Sequence, residues 1–133
     1  MEARKHIEIA EKALRSLEAI TLPPRSDIER DAAIQRFEYT FEAVWKAAKA
    51  VLHEIDGITL APPKPVIRAS RENLLLDTDA AALALLMTDH RNLTAHTYNP
   101  AIAELIAAQL PTYRALLRGW LDSLRAAQER GSR

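Results

Sequence analysis

Cysteine is absent from the 133 residues, which excludes disulfides, thiolate nucleophiles and cysteine-ligated zinc together. Glycine is nearly as scarce, with three residues, and the abundance of Ala, Leu, Glu, Arg and Lys favours helix over turn-rich architectures. There is no net charge: 18 basic residues balance 18 acidic ones. Any attraction to a polyanion must therefore come from basic residues gathered locally. No stretch approaches the roughly 20 apolar residues of a membrane span. The segment from Met1 to Glu18 carries charges throughout and has no apolar leader core, so a cytoplasmic protein without a membrane partner is expected. No HExxH or other ligand spacing relates His6, His53 and His90, and neither a metal nor a cofactor is expected.

What is present is periodicity. Ile7, Ala10, Leu14 and Leu17 recur at helical steps from Glu2 to about Ile20, and Thr21-Leu22-Pro23-Pro24 ends that helix. Ser26 followed by Glu29 has the capping-box spacing and predicts the start of a second helix. Its apolar side, Ile34, Phe37, Phe41, Val44, Trp45, Ala48, Val51, Leu52 and Ile55, runs to a C-cap at Gly57. A short helix is predicted from Pro65 or Val66 to about Leu76, and another from the Asp77-Thr78-Asp79 cap through Leu83, Leu86 and Leu93. Asn99 as N-cap and Pro100 at N1 open a last helix, with a kink expected at Pro111. The expectation is an all-α, antiparallel up-down four-helix bundle with an additional short helix. It forms one domain over residues 1–127, followed by a frayed tail at 128–133.

Chemistry concentrates in Arg91-Asn92-Leu93-Thr94-Ala95-His96-Thr97-Tyr98. In a straight helix Arg91 and His96 diverge by roughly 140°. For both to act on one substrate, the helix must unwind near His96 or two copies must meet across a two-fold axis. A guanidinium and an imidazole close to a helix end can also simply satisfy the last carbonyls. Tyr98 is equally open to a packing role. Arg36, Glu38, Glu42 and Lys46, at three- and four-residue steps, suggest a solvated ion-pair ladder.

Arg-x4-His-x-Tyr at Arg91, His96 and Tyr98, with Asn92 beside the arginine, resembles the motif of the HEPN superfamily, in particular its HepT and nucleotidyltransferase substrate-binding branch. The similarity extends through Arg36-Phe37-Glu38-Tyr39-Thr40-Phe41-Glu42-Ala43-Val44-Trp45-Lys46 and the region of Tyr113. It departs at Ala80-Ala81-Ala82-Leu83-Ala84, where a tryptophan is common in the branch. The resemblance implies a homodimer with paired motifs lining a cleft, and metal-independent endoribonuclease activity on an RNA substrate. It also implies an MNT-type nucleotidyltransferase partner, acting as antitoxin by transferring AMP to Tyr98. The residue chemistry is compatible with this. An imidazole at His96 can exchange protons near neutral pH, and the guanidinium of Arg91 can stabilise phosphorane charge. Asn92 is placed to orient a phosphate or His96, and Tyr98 to stack on a base or accept a nucleotidyl group. Two other functions fit the same residues: a non-catalytic substrate-binding subunit of a two-component nucleotidyltransferase, and a helical dimer used only for assembly. The chain carries no Gly-Ser with paired aspartates for nucleotidyl transfer of its own.

Overall fold

A computed structural model of the chain describes residues 2–131. Among them are five α-helices and no strand: α1 (Glu2–Glu18), α2 (Asp27–Asp56), α3 (Pro63–Glu72), α4 (Thr78–Asn92) and α5 (Pro100–Gly131), with a 3₁₀ turn at Leu93–His96 between the last two. None of the helices is long and apolar enough to cross a membrane.

The local signals act at the positions their chemistry predicts. Ser26 accepts the Glu29 amide at 3.1 Å, and the Glu29 carboxylate accepts the Arg25 amide at 3.1 Å, so the reciprocal cap reaches one residue further back than a strict capping box. Gly57 takes φ 67°, its amide donating to His53 and that of Ile58 to Leu52, both at 3.1 Å. This is the left-handed closure that glycine adopts without a Cβ penalty. Asp77 accepts the Ala80 amide at 2.7 Å and Asn99 that of Ala101 at 3.0 Å.

Two boundaries differ from the periodic reading. Helix α3 begins at Pro63 and ends at Glu72, before the expected Leu76. Leu74 turns left-handed (φ 64°), and the amides of Leu75 and Leu76 both return to the Ser70 carbonyl. That reversal buries Leu75 and Leu76 under the bundle, which continued helix would not do. At the other end, α5 continues through Gln128 to Gly131, a stretch expected to fray, and runs unbroken across Pro111. Ala127 packs on the core there, and Gly131 lies against the Ile55 side chain. Ser132 and Arg133, the rest of the expected tail, lie outside the described residues.

The bundle is built unevenly. Helices α1, α2 and α5 pack mutually, while α4 pairs mainly with α3 and touches α2 and α5 more lightly. Ser16 meets Tyr39 and Ala3 meets Glu54, so α1 and α2 are antiparallel. Arg30 meets Glu104 and Phe37 meets Tyr113, so α2 and α5 run parallel. These two would face each other diagonally in a regular up-down bundle; here they are close neighbours, and the core is a three-helix unit flanked by an α3–α4 hairpin. Phe37, Phe41, Tyr113 and Trp120 are the largest fully buried side chains in it, and each contributes on the order of 2–3 kcal/mol by burial.

One polar seam locks α1 to α5. Arg118 donates to Glu11 at 2.8 and 2.9 Å and to Glu18 at 2.7 and 3.0 Å, and Glu11 also accepts from Arg125 at 2.9 Å and Arg15 at 3.0 Å. Arg118 above all, with Arg15 and Arg125, holds the Glu11 carboxyl down to about 2 although burial opposes this. Its side chain is only 16% exposed, so solvent screens the cluster in part. A carboxylate whose folded pKa is depressed stabilises the fold above its unfolded value of about 4.3 and ceases to do so as pH falls from there towards 2. Thermal unfolding should therefore show about 1–2 kcal/mol of acid-labile stability in that window, and Glu11→Gln should be less stable at neutral pH with a shallower acid decline. Parallel acid profiles for wild type and variant would assign the acid lability elsewhere.

Candidate functional site

The motif occupies the end of α4 and the turn that follows. The α-helical ladder stops at Asn92, and the chain tightens into the 3₁₀ turn Leu93–His96 before the Asn99 cap. Thr94 spends its hydroxyl on the Arg91 carbonyl at 2.8 Å, satisfying one of the helix-end acceptors. The winding does change near His96, as one route to convergence required, but it leaves Arg91 and His96 apart. Among the described residues no hydrogen bond, ion pair or ring contact joins the two.

Arg91 turns inward. Its Nη2 pairs with Glu42 of α2 at 2.5 Å, with both side chains 30% exposed, and its Nε is buried without an acceptor. Glu42 also accepts the Trp45 indole N–H at 3.1 Å and lies 3.8 Å from the Lys46 ammonium. One carboxylate thus gathers a guanidinium, an indole and an ammonium. Of the expected ladder along α2, the Glu42–Lys46 rung forms, whereas Arg36 donates instead to the Ser16 carbonyl at the end of α1, at 2.6 Å.

His96 and Tyr98 turn outward. The phenol oxygen lies 3.3 Å from His96 Nδ1, with the rings edge to face at 5.9 Å. Tyr98 is 82% exposed, and so is not a packing residue within the chain. Asn92 is exposed, and its side chain makes no cap for the turn.

Two supporting residues lie outside the motif, and the pairing between them was not expected. His90 Nδ1 meets the Tyr113 hydroxyl at 2.6 Å, and Tyr113, wholly buried on α5, stacks on Phe37 at 5.7 Å and 18°. Burial, with the charge of Asp89, raises the Tyr113 phenol above its ordinary value, so it stays un-ionised. Asp89 is itself tied to Lys64 of α3 at 2.7 Å. The last turn of α4 is therefore pinned at the two residues before Arg91, Asp89 from the α3 side and His90 from the α5 side. A tyrosine at a core position was the available signal, since a buried phenol needs a partner.

Residues 5–126 match the family described as "Nucleotidyltransferase substrate binding protein like". The chain belongs to that family, which is part of the HEPN-like helical superfamily. A crystal structure of a protein from Thermus thermophilus superposes with a TM-score of 0.84 at 53% identity, over 87% of this chain and 98% of that one. No curated protein matches. Membership rests on most of the chain's length, and with it the α2 pattern and the α4 end belong to one family architecture.

Tyr113→Phe retains the ring but removes the hydroxyl, leaving His90 Nδ1 unpartnered. It should lower stability by about 1 kcal/mol and speed amide exchange over residues 90–96. Unchanged exchange there would mean that α4 is held by its packing alone.

Proposed function

We propose that the chain is the non-catalytic substrate-binding subunit of a two-component nucleotidyltransferase, whose transferase subunit is supplied in trans. The observation that carries this reading is the division of the motif. Arg91 is committed to Glu42, whereas His96 and Tyr98 stand side by side and exposed. A metal-free ribonuclease site needs the guanidinium beside the imidazole, both facing a phosphate. A docking face needs an exposed aromatic and a polar neighbour. The family description agrees in kind, and in this reading catalysis belongs to the partner. The subunit is proposed to be a homodimer through α4, whose apolar residues surround it on all sides. Ala81, Ala84 and Met87 are buried, but Leu86 remains 45% exposed on the opposite side.

A second reading has its own observation. The Tyr98 hydroxyl is exposed and 3.3 Å from His96 Nδ1, which supports its reading as an acceptor in nucleotidyl transfer. The phenol oxygen would attack the α-phosphorus of ATP, its proton passing to the imidazole and pyrophosphate leaving. Adenylylation there is how a HepT-type toxin would be silenced by an MNT-type antitoxin. Its ribonuclease site would be completed only where Arg91 of one copy meets His96 of another across the two-fold.

Co-expression with MNT-type nucleotidyltransferases of the same genome tests both readings. The substrate-binding reading expects a stable complex that His96→Ala and Tyr98→Ala each weaken by about tenfold. It also expects the chain alone to leave growth and cellular RNA untouched. Growth arrest by the chain alone, with new RNA ends that vanish in Arg91→Ala and His96→Ala at equal abundance, would replace it with the ribonuclease. A mass increase of one adenylyl group, lost in Tyr98→Phe, would identify the recipient.

A further inference from the structure

The outer surface where α1 lies against α2 carries an aromatic ring that is exposed and yet held in place. Ser16 donates its hydroxyl to the Ala13 carbonyl at 2.7 Å, so the Tyr39 phenol, which meets the same Ser16 oxygen, is the donor in that bond. Thr40 donates to the Ala13 carbonyl at 3.1 Å and Arg36 to the Ser16 carbonyl at 2.6 Å, which fastens α2 to α1 from positions before and after Tyr39. With its hydroxyl engaged inside the chain, Tyr39 presents its ring, and the residue is 42% exposed. An aromatic face fixed before any partner arrives loses little rotamer freedom on binding.

A second apolar side chain shares this surface. Ile9 is 52% exposed. It precedes Ser16 by two turns of α1, so it and the ring tied to Ser16 stand about 10 Å apart on one face. The surface between them is low: Ala13 and, one turn beyond Tyr39, Ala43 are half-buried. The same face carries Lys5 and Lys12, both exposed and without an ion-pair or hydrogen-bond partner among the described residues. The carboxylates near them on α1 are taken: Glu2 lies 3.5 Å from His6, Glu8 lies 3.5 Å from Arg4, and Glu11 is held by Arg15, Arg118 and Arg125. On α2, Glu38 points about 100° away from Tyr39.

We propose that this α1–α2 face docks an acidic amphipathic helix of the nucleotidyltransferase subunit. Apolar side chains at i and i+7 of such a helix recur at the interval between Ile9 and Tyr39. The two alanines let its backbone approach, and its carboxylates meet Lys5 and Lys12. A single-stranded nucleic acid would use the ring and the cations but leave Ile9 bare. The inference rests on the proposed function and gives it a second contact. Tyr39 lies one turn before Glu42, the carboxylate that holds Arg91, so a partner seated here also reaches the motif side of α2.

The test titrates the full chain calorimetrically with MNT-type nucleotidyltransferases of the same genome, folding of each variant being checked by circular dichroism. Ile9→Ala and Tyr39→Ala should each weaken the complex about tenfold. Lys12→Glu should do so at low salt, with the loss shrinking as ionic strength rises. Tyr39→Phe, which keeps the ring, should stay within about threefold of the wild type, and a zero-length carbodiimide should join Lys5 or Lys12 to a carboxylate of the transferase. A complex indifferent to Ile9→Ala and Tyr39→Ala, or weakened as much by Tyr39→Phe as by Tyr39→Ala, overturns the docking face and leaves the subunit reading standing. Reduced self-association in these variants, or loss of oligouridylate binding, with transferase affinity unchanged overturns it likewise and assigns the face to a second copy or to RNA. No complex with any transferase sinks the docking face and the subunit reading together.

Discussion

The stacking of Tyr113 on Phe37 does two jobs that no other contact among the described residues combines. It fills the seam between the parallel helices α2 and α5, and it aims a buried hydroxyl at His90 in the last turn of α4. The helix that carries the motif is the most lightly packed of the long ones on the three-helix core, so its end needs a specific anchor. A phenol kept neutral by burial supplies one, and the Asp89–Lys64 pair holds the same turn from the α3 side. The rigidity of the surface turn thus derives from the core.

Glu42 is the second organising residue. It lies halfway along α2, and its two oxygens meet Arg91 from α4, the Trp45 indole and, at longer range, Lys46. Half-buried carboxylates with three donors are costly to disturb, because removing any partner leaves charge poorly solvated. This arrangement separates the motif into an inward cation and an outward His–Tyr pair.

The polar seam of Arg118 with Glu11 and Glu18 belongs to a different layer of the design. It ties α1 to α5 at the surface, far along the chain, and its contribution depends on pH as the core does not. In the sequence its residues are ordinary helix charges. Nothing in their spacing says that a residue near the C-terminal end will gather carboxylates near the N-terminal one, since that pairing depends on the antiparallel packing of the two helices.

Much of this protein was legible in its residues. Ser26, Gly57, Asp77 and Asn99 act through groups within a few positions of themselves, so the ends they specify follow from local stereochemistry. The apolar rows of α1, α2 and α5 likewise identify a helical bundle, and the Arg91-to-Tyr98 stretch with the α2 pattern identifies the family. The early end of α3 was hidden because burial of Leu75 and Leu76, a tertiary gain, overrides a helical pattern that would have continued. The direction of Arg91, the choice of Glu42 as its partner and the anchoring of His90 by Tyr113 were equally hidden. Helices, caps and candidate chemistry could be read before any packing, because they depend on neighbours two to four residues away. Which groups meet across helices was settled only by packing, because the pairs Arg91–Glu42, His90–Tyr113 and Arg118–Glu11 join residues far apart in the chain and exist only once the helices have come together.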